Sequence, residues 1–407
     1  MRLSWLRQIS RSDDRVALIT GLLAMTDIMF KIIKKSKISQ ARLGLIETKH
    51  GRIATPVFMP DATRGVIKHL SSSELAELKL ECFVANALHL FLRPGIKLIK
   101  LAGGLHDFMN WQQPILSDSG GYQIFSLIHK NKSGASGQIT DQGAVFRSPL
   151  DGAKLKLTPE QSIRIQFDLG VDLMVCFDDC PPNNYDDADL ARAVELTIKW
   201  AKRCFREFHK QIKSRALKGR RPLLIAVIQG GNNLPLREYC AKELIKIGFD
   251  GFGFGARHVD ETGTFLAETL KLTADQIPES KLRFGLGIGL PLDIIRSIKM
   301  GWDMFDCVIP TRDGRHGKLF LQNRPLTSKP NNFYETVNIT NAKFAKDFSP
   351  INGQSKLPEL RTYSKAYLHY LFKINEPLAA RLASLNNLEF YIKMLSEIRE
   401  LIKKNRF

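Results

Sequence analysis

MFDCVIPTRDGRHGKLF (residues 304–320) begins as a short apolar run, 304–310, with an acid at its centre, and then turns basic at Arg312, Arg315 and His316. The run is the last of eight. From Thr55 onward, seven earlier segments share its form: VFMPDA (57–62), CFVANA (82–87), PILSDS (114–119), LMVCFDD (173–179), LLIAVIQG (223–230), DGFGFGA (250–256) and LRFGLGIG (282–289). Most are followed by a helical pattern. Near-continuous apolar strands alternating with helices indicate a parallel sheet covered on both faces. Because 304–310 brings the number to eight over about 250 residues, the sequence predicts an α/β protein with a closed (β/α)8 barrel rather than an open, doubly wound sheet.

Working outward, helices are expected over 71–80, which opens on serines, over the long basic stretch 187–212, and over 291–300, where Pro291 sits in the first turn. The gap between the third and fourth runs is too long for one helix. Its segment 145–157 carries Asp151-Gly152 between two strand-like stretches, which reads as an inserted β-hairpin. Beyond Arg312 the alternation breaks up, and 363–404 is mostly helical. The expected organisation is an N-terminal extension (1–30), the barrel (31–325) and a mostly helical C-terminal subdomain packed on it (326–407). The extension mixes Arg2, Arg7, Arg11 and Arg15 with an apolar run, but Asp13, Asp14 and Asp27 count against a targeting peptide. It reads as a poorly ordered tail, or as a start placed too early, with Met25 or Met29 the true one.

The 407 residues carry 60 lysines and arginines against 41 acids, a net charge of +19. That balance fits a polyanionic partner, nucleic acid or an anionic surface. It does not fit an enzyme of neutral sugar polymers. The six cysteines lack the paired spacings of a disulfide framework or a zinc site, which suits a reducing, cytoplasmic compartment. No apolar stretch reaches the roughly 20 residues of a membrane span.

In such a barrel the C-terminal ends of the strands converge on one mouth. Three acids fall there: Asp118 in LSDSGGY, Asp178 in CFDDC and Asp306 in FDCVIP. Any one of them reads equally as a cap or turn residue. Together they have the parts of glycosidic-bond chemistry: one carboxylate attacks the anomeric carbon, a second handles protons, and a third accepts from the N–H edge of a purine-like base. Tyr122 follows a glycine pair and offers a ring for stacking, while Gln229 in IQGG donates and accepts. Arg312 and Arg315 supply planar forks for phosphates or base edges.

The set SDSGGYQIFSL, FDDCPP, IQGG and MFDCVIPTRDGRHG, in that order, resembles the queuine tRNA-ribosyltransferase (tRNA-guanine transglycosylase) family. The likeness extends over about residues 38–402, through GRIATPVFMP, LRPG, GGLHDFMNW and SKAYLHYL. The resemblance implies a modified (β/α)8 TIM barrel that exchanges the wobble guanine of GUN-anticodon tRNAs, those for aspartate, asparagine, histidine and tyrosine, for a 7-deazaguanine base in queuosine formation, without ATP. It implies Asp306 as the nucleophile toward ribose C1′ and Asp118 as general acid/base. Asp178, Gln229 and Gly255 would hold the base edge, Tyr122 and Leu286 its two faces, and Arg312 and Arg315 the neighbouring nucleotides. It also implies a homodimer.

The chain departs from the family in three places. Bacterial members hold a structural zinc with Cys-x-Cys-x-x-Cys and a later histidine; Ser355, Leu357, Leu360 and Asn386 occupy those positions, so no zinc is expected. Gly255-Ala256-Arg257-His258-Val259-Asp260-Glu261 replaces the family's Gly-Gly-Leu-Ala-Val-Gly-Glu, which faces the substituent of the incoming base. Either 7-aminomethyl-7-deazaguanine or queuine remains compatible with it. Ala87-Leu88 stands where the family has Thr-Tyr. These departures carry an alternative reading, a catalytically reduced tRNA-binding partner subunit. The three acids favour the active enzyme.

Overall fold

The computed structural model describes residues 29–129, 137–183, 185–215, 217, 219–327 and 332–407. The expectation for residues 1–30 falls, except for its last two residues, outside them. The described chain opens with an antiparallel sheet that the barrel pattern did not reveal: β1 (Phe30–Lys35), β2 (Arg42–Thr48) and β3 (Gly51–Thr55). β1 reads FKIIKK and buries only Phe30, with Ile32 and Lys34 half buried, so it carries too little apolar signal to be legible. Met29, Phe30, Ile46 and Ile53 join the cluster inside the barrel and close its N-terminal end. Arg42, buried, clamps this sheet down. Its Nε donates to Asp303 Oδ1 at 2.8 Å and its Nη2 to Asp303 Oδ2 at 2.5 Å, while Nη1 and Nη2 also donate to the carbonyls of Glu279 and Lys281.

All eight expected runs form barrel strands. They are β4 (Val57–Pro60), β5 (Phe83–Asn86), β6 (Ile115–Asp118) and, after an insertion of β7 (Gly137–Thr140), β8 (Gly143–Arg147) and β9 (Lys154–Leu157), the strands β10 (Leu173–Val175), β11 (Leu223–Ile228), β12 (Gly251–Phe254), β13 (Leu282–Gly285) and β14 (Met304–Cys307). Neighbours pair in parallel in the order β4-β14-β13-β12-β11-β10-β6-β5. The ring closes where Asp61 bridges Val84 and the Ala62 N–H donates to the Val84 carbonyl at 2.7 Å. The insertion is a three-stranded meander rather than the expected hairpin: β8 and β9 pair as expected, and β7 adds itself to β8.

The expected helices form at Ser72–Glu77, Asp187–Ser214 and Pro291–Lys299. The first is set by a capping box, in which the Ser71 side chain accepts from the Glu74 N–H while the Glu74 carboxylate accepts from the Ser71 N–H. The long helix packs Trp200 on Phe177, ring centroids 4.5 Å apart.

Past the barrel, β15 (Lys318–Gln322) and β16 (Tyr334–Asn338) pair antiparallel, and helices Lys365–Lys373 and Pro377–Lys403 follow. The last helix returns to the first barrel strand. Tyr391 packs on Phe58 at 4.7 Å and donates to the Gly289 carbonyl at 2.7 Å, while Arg399 donates to the Ala54 carbonyl. It also explains the glycine in RDGRHG. A Cβ on Gly314 would come within 3.0 Å of the Ala383 backbone, so only glycine lets the helix Ile309–Arg315 approach this closely. Among the described residues no helix is long and apolar enough to cross a membrane.

Candidate active site

Strand side chains alternate between the two faces of a sheet, so inward positions recur every second residue. Met59, Val84, Leu116, Val227, Phe284 and Met304 are buried inside the barrel. Two residues further along each strand, the period puts Asp61, Asn86, Asp118, Gln229, Leu286 and Asp306 in the next layer, at the C-terminal mouth. On β12 the large residues Phe252 and Phe254 face the outer core, which leaves Gly255 in this layer. Its bareness is required, since a Cβ there would lie 2.4 Å from the Gln229 side chain. β10 ends early, at Val175, and Asp178 reaches the ring from the segment beyond it.

The ring is hydrogen-bonded across strands. Asn86 Nδ2 donates to Asp118 Oδ2 at 2.9 Å, Gln229 Nε2 to Asp178 Oδ2 at 2.7 Å, and the Gly287 N–H to Asp306 Oδ1 at 2.9 Å. Gln229 Oε1 is buried with no partner among the described residues, an acceptor whose hydrogen-bonding capacity is unused. Burial raises all three expected acids, and their mutual repulsion adds to it. Asp118 is pushed up to about 6, with Asp61 contributing. Asp178 is pushed up to about 7 by burial and then by Asp118 and Asp179, against the Gln229 hydrogen bond. Asp306 is likewise pushed up to about 7 by burial, with Asp118 and Asp61 adding to it. Carboxyls of this kind exchange protons near neutral pH, as proton transfer to a leaving base requires.

The structure thus brings Asp118, Asp178, Gln229, Gly255, Leu286 and Asp306 together. Tyr122 is at the rim, half exposed, lining a groove of about 380 Å³ with Leu88, Arg64 and Arg93. Gly121 beside it abuts Asp178, where a Cβ would meet Oδ1 at 2.7 Å. Arg312 and Arg315 are on the helix leaving β14. Arg312 is exposed and pairs with Asp313 at 3.2 Å, and Arg315 lies near Asp61.

Four contributors were not singled out in the sequence. Asp61 and Asn86 belong to the same inward layer and were hidden in the runs VFMPDA and CFVANA; counting by twos from Met59 and Val84 finds them. Arg237 and Asn183 act behind the pocket wall. Arg237 is fully buried over the Phe254 ring and donates to the carbonyls of Gly231, Ile228 and Gly255. Asn183 takes both backbone groups of Arg257, accepting from its N–H at 3.0 Å and donating to its carbonyl at 2.8 Å. Between them Ala256 is held at a φ of +76°, a left-handed conformation that a residue with a Cβ adopts only under constraint. Glu261 is exposed at the end of this segment.

The four positions aligned with the family's zinc ligands do not fit that ion. Leu357 and Leu360 are buried in the hydrophobic core and offer no donor atom. Ser355 Oγ donates to Glu389 Oε2, and Asn386 accepts from Asn352 Nδ2 at 3.0 Å and donates to the Phe320 carbonyl. Hydrogen bonds and apolar packing tie the subdomain there. Among the described residues three potential metal ligands meet elsewhere, His50, His106 and Asp172 at the closed end of the barrel. That carboxylate is already saturated. It accepts from the N–H groups of Ile115 and His50 and contacts both imidazoles at 2.9 and 3.2 Å. Burial opposes its ionisation, but the two histidine hydrogen bonds outweigh that and hold it well below the usual carboxylate range.

A family model described as queuine tRNA-ribosyltransferase matches residues 36–407. Similar curated proteins carry the same name. One from Thermoanaerobacter pseudethanolicus is 42% identical over 382 residues, 94% of this chain and 95% of its own length. One from Staphylococcus haemolyticus is 39% identical over 382 residues, 94% of each chain, and one from Halothermothrix orenii is 38% identical over 378 residues, 93% of this chain and 94% of its own.

Proposed function

The chain belongs to the queuine tRNA-ribosyltransferase family, and on that premise we propose how this pentosyltransferase, a tRNA-guanine transglycosylase, carries out its exchange. The observation that supports the reading is the convergence of Asp118 at the end of β6, Asp306 on β14 and Asp178 from the segment after β10 on one mouth beside Gln229.

The wobble nucleotide of a GUN-anticodon tRNA enters the mouth. Asp178 and Gln229 read the base edge, with Gly255 offering backbone; Leu286 supports one face and Tyr122 swings onto the other. An ionised Asp306 oxygen bonds to ribose C1′ as the C1′–N9 bond breaks, and the electron pair leaves with guanine. Asp118, in its protonated form, supplies the proton the departing base takes up; burial raises its carboxyl to about 6, so that form is within reach near neutral pH. After guanine leaves, a 7-deazaguanine enters. Its N9–H proton passes to the Asp118 carboxylate, N9 bonds to C1′, and the C1′–O bond to Asp306 breaks, which restores both acids. Arg312 and Arg315 hold the flanking nucleotides.

The incoming base is 7-aminomethyl-7-deazaguanine or queuine, and competition between the two decides which. Arg257 and Glu261, at the wall facing its substituent, carry opposite charges. We further propose that the enzyme is cytoplasmic, where its six free cysteines remain reduced, and that it pairs with a second copy. The exposed face formed by Tyr363, Tyr367, Tyr370 and Ile374 supports that pairing.

Incorporation of radiolabelled guanine into unmodified tRNA tests the reading. Wild type should incorporate label, and Asp306→Asn and Asp118→Asn should not. Undiminished activity in Asp306→Asn removes the nucleophile assignment. No exchange in wild type, with tRNA still bound, favours a catalytically reduced partner subunit.

A further inference from the structure

We propose that Asp61 is a fourth functional carboxylate of the mouth, accepting a hydrogen bond from the 2′-hydroxyl of the reacting nucleotide and so making the exchange selective for RNA over DNA. The inference rests on the reading of Asp306 as the group that bonds to C1′.

Its first support is topological. β4 lies between β14 and β5 in the closed ring, Met59 is the parallel partner of Asp306, and Asp61 bridges Val84 two residues before Asn86. Asp61 therefore stands in the inward layer between the nucleophile on one side and the Asn86–Asp118 pair on the other. The second support is local. Thr63 donates to the Asp61 carboxylate through its Oγ1, which bonds Oδ2, and through its backbone N–H, and so fixes the group in place with acceptor lone pairs to spare. Burial raises its carboxyl above the ordinary carboxylate value, and the Thr63 hydrogen bonds and the nearby Arg315 guanidinium oppose that shift. The third is the orphaned, fully buried Gln229 Oε1 across the ring, which independently marks the mouth as a ligand site.

A sugar attacked at C1′ by Asp306 presents its nearest hydroxyl on C2′, so the carboxylate next to the nucleophile faces a hydroxyl donor. Such hydrogen bonds strengthen as positive charge develops on the ring in an oxocarbenium-like transition state. The 2′-hydroxyl is also the group that distinguishes RNA from DNA. The base edge and the proton shuttle are already provided for by Asp178, Gln229 and Asp118.

The test compares two anticodon stem-loops that are identical except for guanosine or 2′-deoxyguanosine at the exchanging position, using labelled-guanine incorporation with wild type, Asp61→Ala and Asp61→Asn. Wild type should prefer the ribose substrate. Asp61→Ala should lower kcat/KM about 10- to 100-fold on the ribose substrate and leave the deoxy substrate within about twofold, the size expected for one hydrogen bond to a charged group. Asp61→Asn keeps an acceptor oxygen and should retain part of the preference, with unchanged thermal stability as a control on folding. Equal losses on both substrates, or no loss on either, overturn the proposal. Failure of wild type to incorporate guanine into either stem-loop would instead strike the exchange reaction itself and take this inference with it.

Discussion

Replacing Asp178 with asparagine should make the protein more stable above neutral pH while removing its grip on a base. Asp178 is 8% exposed and its carboxyl ionises near 7 instead of its ordinary 3.8, because burial, and then Asp118 and Asp179, oppose the charge. The folded-state value is raised, so the unfolded chain gives up this proton first as pH rises. The penalty is absent below about pH 4, grows between about 4 and 7, and is constant above. At about 1.4 kcal/mol per pH unit it amounts to about 4 kcal/mol. Coupling among the acids and the cost of burying an amide reduce the gain to about 2–4 kcal/mol. Asparagine keeps the shape and an oxygen for the Gln229 Nε2–H, so no cavity is opened. Urea denaturation of wild type and Asp178→Asn at about pH 4.5, 6 and 8 reads the difference directly, provided the slope with denaturant is unchanged. A difference that does not vary with pH, or a mutant less stable at high pH, would refute the electrostatic picture of the mouth.

Other outcomes follow from the same structure. Arg42→Met leaves Asp303 buried without its cation and should cost about 3–5 kcal/mol in denaturant unfolding; Arg42→Met combined with Asp303→Leu should recover most of the loss. Affinity for tRNA should fall steeply with salt, and removing Arg312 or Arg315 should flatten the log–log slope by about one; binding indifferent to salt contradicts the role given to these cations. Purified protein should contain no stoichiometric zinc at the 355–386 positions, and chelators should leave its thermal midpoint unchanged. Stoichiometric zinc that stabilises the fold would overturn the hydrogen-bonded account of Ser355 and Asn386.

The barrel was legible because its strands are buried on both faces and therefore nearly continuous in apolar residues; β11, LLIAVI, is buried throughout. The strands outside the barrel lack that signal. FKIIKK in β1 is half lysine, and GQIT in β7 is exposed or half buried along its length. Asp118, Asp178 and Asp306 could be found because each stands at or shortly beyond a strand end in a distinctive setting. Asp61 has the same geometry, but it was hidden within the strand run VFMPDA, and its position shows only when the inward layer is counted from Met59. Arg237 sits within LPLREYC, where a cation on an amphipathic helix reads as surface; only the folded packing on Phe254 and three carbonyls shows it as a buried support. The return of helix Pro377–Lys403 to β4 is a long-range contact with no local signature.

The central claim is that Asp306 bonds to the ribose it releases from guanine. Wild-type enzyme incubated with a GUN stem-loop and quenched in denaturant should yield an RNA–protein adduct by mass spectrometry, linked through the peptide that contains Asp306 and absent from Asp306→Asn. An adduct that persists in Asp306→Asn, or that maps to a peptide carrying Asp118 or Asp178, would contradict it.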